Sequence, residues 1–169
     1  MSDVVFQNTT EDKSFGKDLF EKVIKAGIIE LGLDTKNIGV SINLVGEEKI
    51  IELNKKYRDK DKVTDVLSFP MQSEGLHRPE GAKRLEGPAP FDYAQGKSNA
   101  GAFDLGDIFI CLPFAKKEAK SENIGIDRKL ARLTVHGFLH LMGYDHEVSK
   151  KEETKMLSLE NKILNHLGI

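Results

Sequence analysis

The sequence is short of the features that would place it in a membrane or an oxidising compartment. It has one cysteine, Cys111, in 169 residues, which excludes an internal disulfide and with it a disulfide-built secreted scaffold. No stretch approaches the ~18 uninterrupted apolar residues a membrane helix needs. The opening segment, Met1 to Phe6, has neither the basic start nor the long apolar run of a signal peptide. An excess of one charge is missing too: 25 Lys and Arg stand against 27 Asp and Glu, a formal net charge of −2. Such a balance gives no bulk attraction to nucleic acid or anionic lipid, so any nucleic-acid contact must come from a local basic patch. No internal repeat is visible. Together these absences point to the cytoplasm, with no membrane partner.

What remains is a chain with 39% apolar and 31% charged residues, enough for one domain with a hydrophobic core and too short for two ordinary ones. Val4 to Phe6 reads as a short strand. Phe15, Leu19, Phe20, Val23, Ile24 and Ile28 recur at helical spacing up to Leu31, and Gly32 supplies a stop. Val40, Ile42 and Leu44 alternate as in a half-buried strand. Glu47 to Tyr57 returns to helical period, with acids early and lysines late. Asp65 to Phe69 reads as a strand stopped by Pro70, and Asp107 to Leu112 as a buried one. Pro113 to Ser121 opens a helix. Asp127 is the predicted cap of the next, which runs to Gly143. Ser149 and Glu152 have capping-box spacing for a last helix over 149–167. Three of five prolines and five of fifteen glycines fall in 71–101, which predicts a flexible loop insertion bounded at 71–103. The fold class expected is α/β, a single domain with a small mixed four-stranded sheet packed with about five helices.

The last thirty-four residues hold four of the five histidines, and three of them fall within eleven positions: His136, His140 and His146. His136 and His140, four apart on a helix, leave the same face one turn apart, as two ligands of one ion must. Gly143 lets the chain turn back through Tyr144 and Asp145 so that His146 meets them. Three histidines leave a fourth tetrahedral position open, the pattern of a catalytic zinc rather than a closed structural one. Imidazole sites also accept nickel, cobalt or copper. A lone histidine is more often an ordinary polar residue, and His77 and His166, without such company, are read as surface residues. The spacing reproduces the metzincin peptidase signature except that Gly137 stands where the catalytic glutamate would be. A zinc ion can still polarise a substrate oxygen and acidify water, but that general base is gone.

A second motif runs Tyr57-Arg58-Asp59-Lys60-Asp61-Lys62-Val63-Thr64-Asp65-Val66-Leu67-Ser68-Phe69-Pro70. Most of its lysines suit a solvated turn. Arg58 differs, because a guanidinium grips phosphate with two parallel hydrogen bonds. This motif, then Leu105-Gly106-Asp107-Ile108, then His136 to His146, closely resembles the YbeY family of metal-dependent endoribonucleases, in family order and over nearly all the chain outside the 71–101 segment. The loop between Pro70 and Asp104 is longer than the family pattern, and reads as a tolerated insertion rather than a lid.

The resemblance implies one zinc ion on His136, His140 and His146, with Arg58 as the catalytic, phosphate-contacting arginine. Asp65, Ser68 and Asp107 match motif positions, where they support the site or simply end strands. It implies cleavage of single-stranded RNA in the maturation of ribosomal RNA at the 3′ end of the small-subunit molecule, in ribosome quality control, and in contact with the ribosome or its proteins. Two other readings stand beside it: a metallohydrolase of another substrate class, such as a peptidase or amidase, and a mainly non-catalytic ribosome assembly factor with structural zinc.

Overall fold

The computed structural model describes residues 3–33, 38–71, 103–147 and 149–169. The elements run β1 (Asp3–Asn8), α1 (Asp18–Glu30), β2 (Ile38–Val45), α2 (Glu47–Arg58), β3 (Val66–Pro70), β4 (Phe103–Cys111), α3 (Leu112–Ser121), α4 (Ile126–Leu141) and α5 (Lys150–His166). The strands form one mixed sheet in the order β1-β2-β4-β3. β1 and β2 pair in parallel, as do β2 and β4, while β3 runs antiparallel to β4. The expected small mixed sheet with five helices is what forms.

Side chains alternate between faces along each strand, and this decides where the helices sit. Val40, Ile42 and Leu44 of β2 and Ile108 and Ile110 of β4 face a cluster completed by α1 and α4. Phe109 and Cys111 point the other way, to Leu67, Phe69 and the α2 residues Ile50 and Leu53. A third cluster joins Val23 of α1, Val135 and Leu139 of α4, and Met156 and Ile163 of α5. The helix α4 is thus enclosed by the sheet on one side and by α1 and α5 on the other. Each Leu or Phe it buries contributes roughly 2 kcal/mol, which together fix its rotation. Beyond its first two residues, only Arg128, Arg132, His136 and His140 escape burial. They form a single stripe at a spacing of four.

Several boundaries differ from the sequence expectation for local reasons. α1 starts at Asp18 rather than Phe15, because the Ser14 N–H donates to Asp12 Oδ1 at 2.8 Å and holds that segment in a turn. β4 starts at Phe103, not Asp107, and carries an extra residue against β2 between Asp104 and Asp107. Gly106 takes up this bulge with φ +124°, and a Cβ there would run into the Phe69 carbonyl oxygen. Leu112 opens α3 instead of ending the strand, with Pro113 in the first helical turn. The N-cap of α4 is Gly125 and not Asp127, which lies in the first turn, where its charge still suits the helix dipole. Ser149 does cap α5, its side chain accepting from the Glu152 N–H at 3.2 Å. Of the insertion expected at 71–103, residues 72–102 lie outside the described residues, as does His77; Phe103 belongs to β4.

Candidate metal centre and its groove

The end of α4 brings the histidines together. Gly143 adopts φ +88°, its N–H donates to the His140 carbonyl at 2.9 Å, and the Tyr144 N–H donates to the Leu139 carbonyl at 3.0 Å. This pair of bonds is a Schellman stop, which satisfies the last carbonyls of the helix and reverses the chain. Asp145 Oδ1 then accepts from the Glu147 N–H at 2.8 Å, closing a turn around His146. The ring centroids of His136 and His140 lie 4.6 Å apart, and each is 5.2 Å from that of His146. One ligand atom from each of the three lies within 4.8 Å of the others, so the group is able to hold a metal ion.

The donor chemistry fits that use. The Nε2 atoms of His136 and His140 face each other at 3.1 Å. Two nitrogens on one tetrahedral zinc, each about 2.0–2.1 Å from it, stand roughly 3.3 Å apart. Burial, reinforced by the neighbouring His136 and His146, pushes the His140 pKa down to about 4, against the opposing effects of Asp145 and the Tyr144 backbone. His140 is therefore neutral at pH 7, with a lone pair to offer. His136 Nδ1 lies 2.7 Å from Glu160 Oε1 on α5.

The floor of the site explains the missing peptidase base. Gly137 faces the sheet, where a Cβ would come within 2.8 Å of Ile108 Cγ2 and 3.0 Å of Ser68 Oγ. Any side chain at that position would require Ile108, Ser68 or α4 itself to shift. Packing disfavours the residue that the sequence lacks.

The site opens into a groove of about 560 Å³ whose lining includes the three histidines, Arg58, Asp65 and Ser68. Arg58 arrives from the last residue of α2. Asp59 follows in the left-handed region (φ +54°), ending the helix, and Asn54 Nδ2 donates to the Lys62 carbonyl at 2.8 Å, pinning the turn beyond. Arg58 Nη2 approaches Glu147 Oε1 at 3.7 Å, so it stands over the residue that follows His146. A second arginine of the groove, Arg132, is differently placed. Its Nη1 donates to Glu122 Oε2 at 2.8 Å. The same glutamate accepts from the buried Lys129 Nζ at 2.6 Å, and Glu118 lies 2.9 Å from that Nζ. Burial works against the Lys129 charge, and the two carboxylates more than offset it, raising its pKa.

The structure thus brings His136, His140, His146 and Arg58 to one groove, with Asp65 and Ser68 on its β3 side. Asp65 Oδ1 accepts from the Val66 N–H at 2.9 Å, and its carbonyl accepts from the Cys111 N–H at 2.8 Å, so it leads the chain into β3, which runs Val66–Pro70. Asp107 is not part of the groove lining; it is buried in β4, paired with Phe69 and Ser41. His166 is exposed at the end of α5, as expected. Sequence reasoning missed Glu160. The signal was there: Met156, Ile163 and Leu164 mark the inward face of α5, and Glu160 falls among them at helical spacing, a carboxylate on a buried stripe.

Comparison with known proteins shows the family of the chain. The family model "Endoribonuclease YbeY" matches residues 5–168. The chain is 34% identical over 167 residues to the endoribonuclease YbeY of Persephonella marina, covering 99% of this chain and 94% of that protein. It is 40% identical over 156 residues to that of a Sulfurihydrogenibium species, covering 92% and 83%. Against a Thermotoga maritima protein of known solution structure it superposes with a TM-score of 0.54 at 24% identity, covering 97% of this chain and 91% of the other, a likeness of fold. A family match along almost the whole chain, over a groove that gathers three imidazoles and an arginine, places this protein in the YbeY family of endoribonucleases, hydrolases that act on RNA.

Proposed function

We propose that the protein is a zinc-dependent endoribonuclease specific for single-stranded RNA, acting in maturation of the 3′ end of small-subunit ribosomal RNA and in ribosome quality control. The observation that carries the reading is one groove shared by the His136, His140 and His146 cluster and a loosely held Arg58. Its working partners are then ribosomal RNA and the ribosome, in the cytoplasm, in keeping with a single, buried, unpaired cysteine.

His136, His140 and His146 would hold the ion, which supplies Lewis acidity toward a phosphate oxygen or a water. The chain's own residues do the rest. Arg58 binds the scissile phosphate and stabilises the charge that builds on its oxygens during displacement, as a fixed cation does in a partly closed site. Its 3.7 Å approach to Glu147 is long for an ion pair, and both side chains are exposed, so a phosphate displaces little. Arg132, bonded to Glu122 at 2.8 Å, is already committed. Gly137 contributes no base, and the packing beneath it argues against a peptidase or amidase.

The test is cleavage of a single-stranded RNA, beside a duplex of the same sequence, by the zinc-loaded protein and by His136→Ala and Arg58→Ala. The expected result is cleavage of the single strand by the parent and a loss of two orders of magnitude or more in both variants. Equal rates in all three would assign the activity to a contaminating ribonuclease and end the proposal.

A further inference from the structure

Among the described residues, α5 reaches the groove only through Glu160. The helix is otherwise a packing element, fastened by Met156, Ile163 and Leu164 to a cluster that includes Ala131, Val135 and Leu139 of α4. Glu160 sits one turn from these anchors, so its side chain has a fixed starting point. From there Oε1 meets His136 Nδ1 at 2.7 Å, with the two side chains only 20% and 31% exposed.

That contact has a chemical consequence for the imidazole. An ionised carboxylate can only accept a hydrogen bond, so the hydrogen of a neutral His136 ring belongs on Nδ1. The lone pair is then on Nε2, the atom that faces His140 Nε2 at 3.1 Å. Without the carboxylate the ring can take its other tautomer, or turn about its own axis, and the ligating atom is no longer set. We infer that Glu160 is a positioning residue of the metal centre: it fixes His136 as an Nε2 ligand and makes α5 part of that centre.

The inference rests on the metal reading above and adds a coupling to it. Ligands on α4 and on the segment before α5 meet a partner on α5 itself. Whatever metal gains from a docked α5, α5 must gain from bound metal, because the coupling between two binding events is reciprocal. A simple ion pair between two helices would show neither effect.

The experiment uses the full chain stripped of metal, in wild-type form and as Glu160→Gln, Glu160→Ala and the exposed control Glu153→Gln. Zinc affinity is read by competition with a chromophoric chelator. Ligand geometry is read from the visible spectrum of the cobalt-substituted protein, and α5 docking from hydrogen exchange with and without zinc. The expected result is a 10- to 100-fold weaker zinc affinity for Glu160→Ala, the range found for partners of ligating histidines. Glu160→Gln, whose amide oxygen still accepts from Nδ1, loses less, and Glu153→Gln nothing. Zinc slows exchange in α5 in the wild type and does so less in Glu160→Ala. Wild-type zinc affinity and cobalt spectra in both Glu160 variants, with only metal-free stability lowered, would reduce the contact to an ordinary interhelical ion pair and overturn the inference. A wild-type chain that binds no zinc would instead overturn the metal reading on which it stands. If Glu160→Ala fails to fold, the folded Glu160→Gln decides by the same affinity and spectral criteria.

Discussion

The two walls of the groove are built on opposite plans. On the α4 wall the groups are tied down: His136 to Glu160 at 2.7 Å, Arg132 to Glu122 at 2.8 Å, Lys129 to Glu122 and Glu118. That wall belongs to a helix enclosed by the sheet and by α1 and α5. On the facing wall Arg58 extends from a helix end, 41% exposed, toward an exposed glutamate 3.7 Å away. The difference separates two tasks. A metal needs ligands whose positions are set before it arrives, and the core supplies that order. On the proposed reading, the phosphate is met by Arg58, a group that would gain its firm partner only when substrate binds. The tied wall is preorganised, and the open wall would be completed by the RNA.

The largest effects should come from breaking the tied wall. His136→Ala should reduce bound zinc from about one ion per chain to background by elemental analysis and abolish cleavage, while circular dichroism remains that of a folded α/β chain. On the open wall, Arg58→Ala should leave zinc content unchanged and lower kcat/KM on single-stranded RNA about 10²- to 10³-fold, the range for losing one charge-stabilising donor. Arg132→Ala sharpens the comparison, because its guanidinium is engaged by Glu122: the loss should be smaller than tenfold, or about 1.4 kcal/mol. Equal losses from the two arginines would show that the distinction between the walls has no functional weight.

Gly137→Ala tests the floor that both walls share. The added Cβ meets Ile108 at 2.8 Å and Ser68 Oγ at 3.0 Å, and overpacking of this kind costs about 1–3 kcal/mol. Urea unfolding should show that loss, with weaker zinc binding if α4, which carries His136 and His140, is the element that shifts to relieve the contact. A variant as stable as the parent would mean that β3 yields instead of α4.

Legibility in the sequence followed the range of the interactions. The histidine cluster lies within eleven residues, and helix periodicity, a glycine stop and a turn sufficed to assemble it. Arg58 is seventy-eight positions from His136 in the chain, and only the family resemblance joined them before the sheet did. Glu160 is twenty-four residues beyond its partner, and no local spacing on α5 ties it to a histidine on α4. The start of β4 was missed because the bulge at Gly106 breaks the alternation that reveals a strand. The cap of α4 was misplaced because Asp127, a good capping type, stands two residues inside the helix that Gly125 begins.

The smallest effect is expected where the walls touch, at Glu147. It follows a candidate ligand, His146, yet its side chain is 66% exposed and its approach to Arg58 is long. Exposed pairs of this kind contribute 0–1 kcal/mol at most, so Glu147→Gln should leave unfolding free energy within about 0.5 kcal/mol of the parent. Its effect should appear in substrate binding instead. Removing a negative charge beside Arg58, the arginine proposed to bind phosphate, strengthens the local positive field, so KM for RNA should fall by a small factor while kcat holds. The change should shrink as salt rises from 50 to about 200 mM, because exposed charges are screened over a Debye length of about 8–10 Å. A rise in KM would reverse the assignment, making Glu147 a group that orients Arg58 and placing the open wall on the same tied plan as α4.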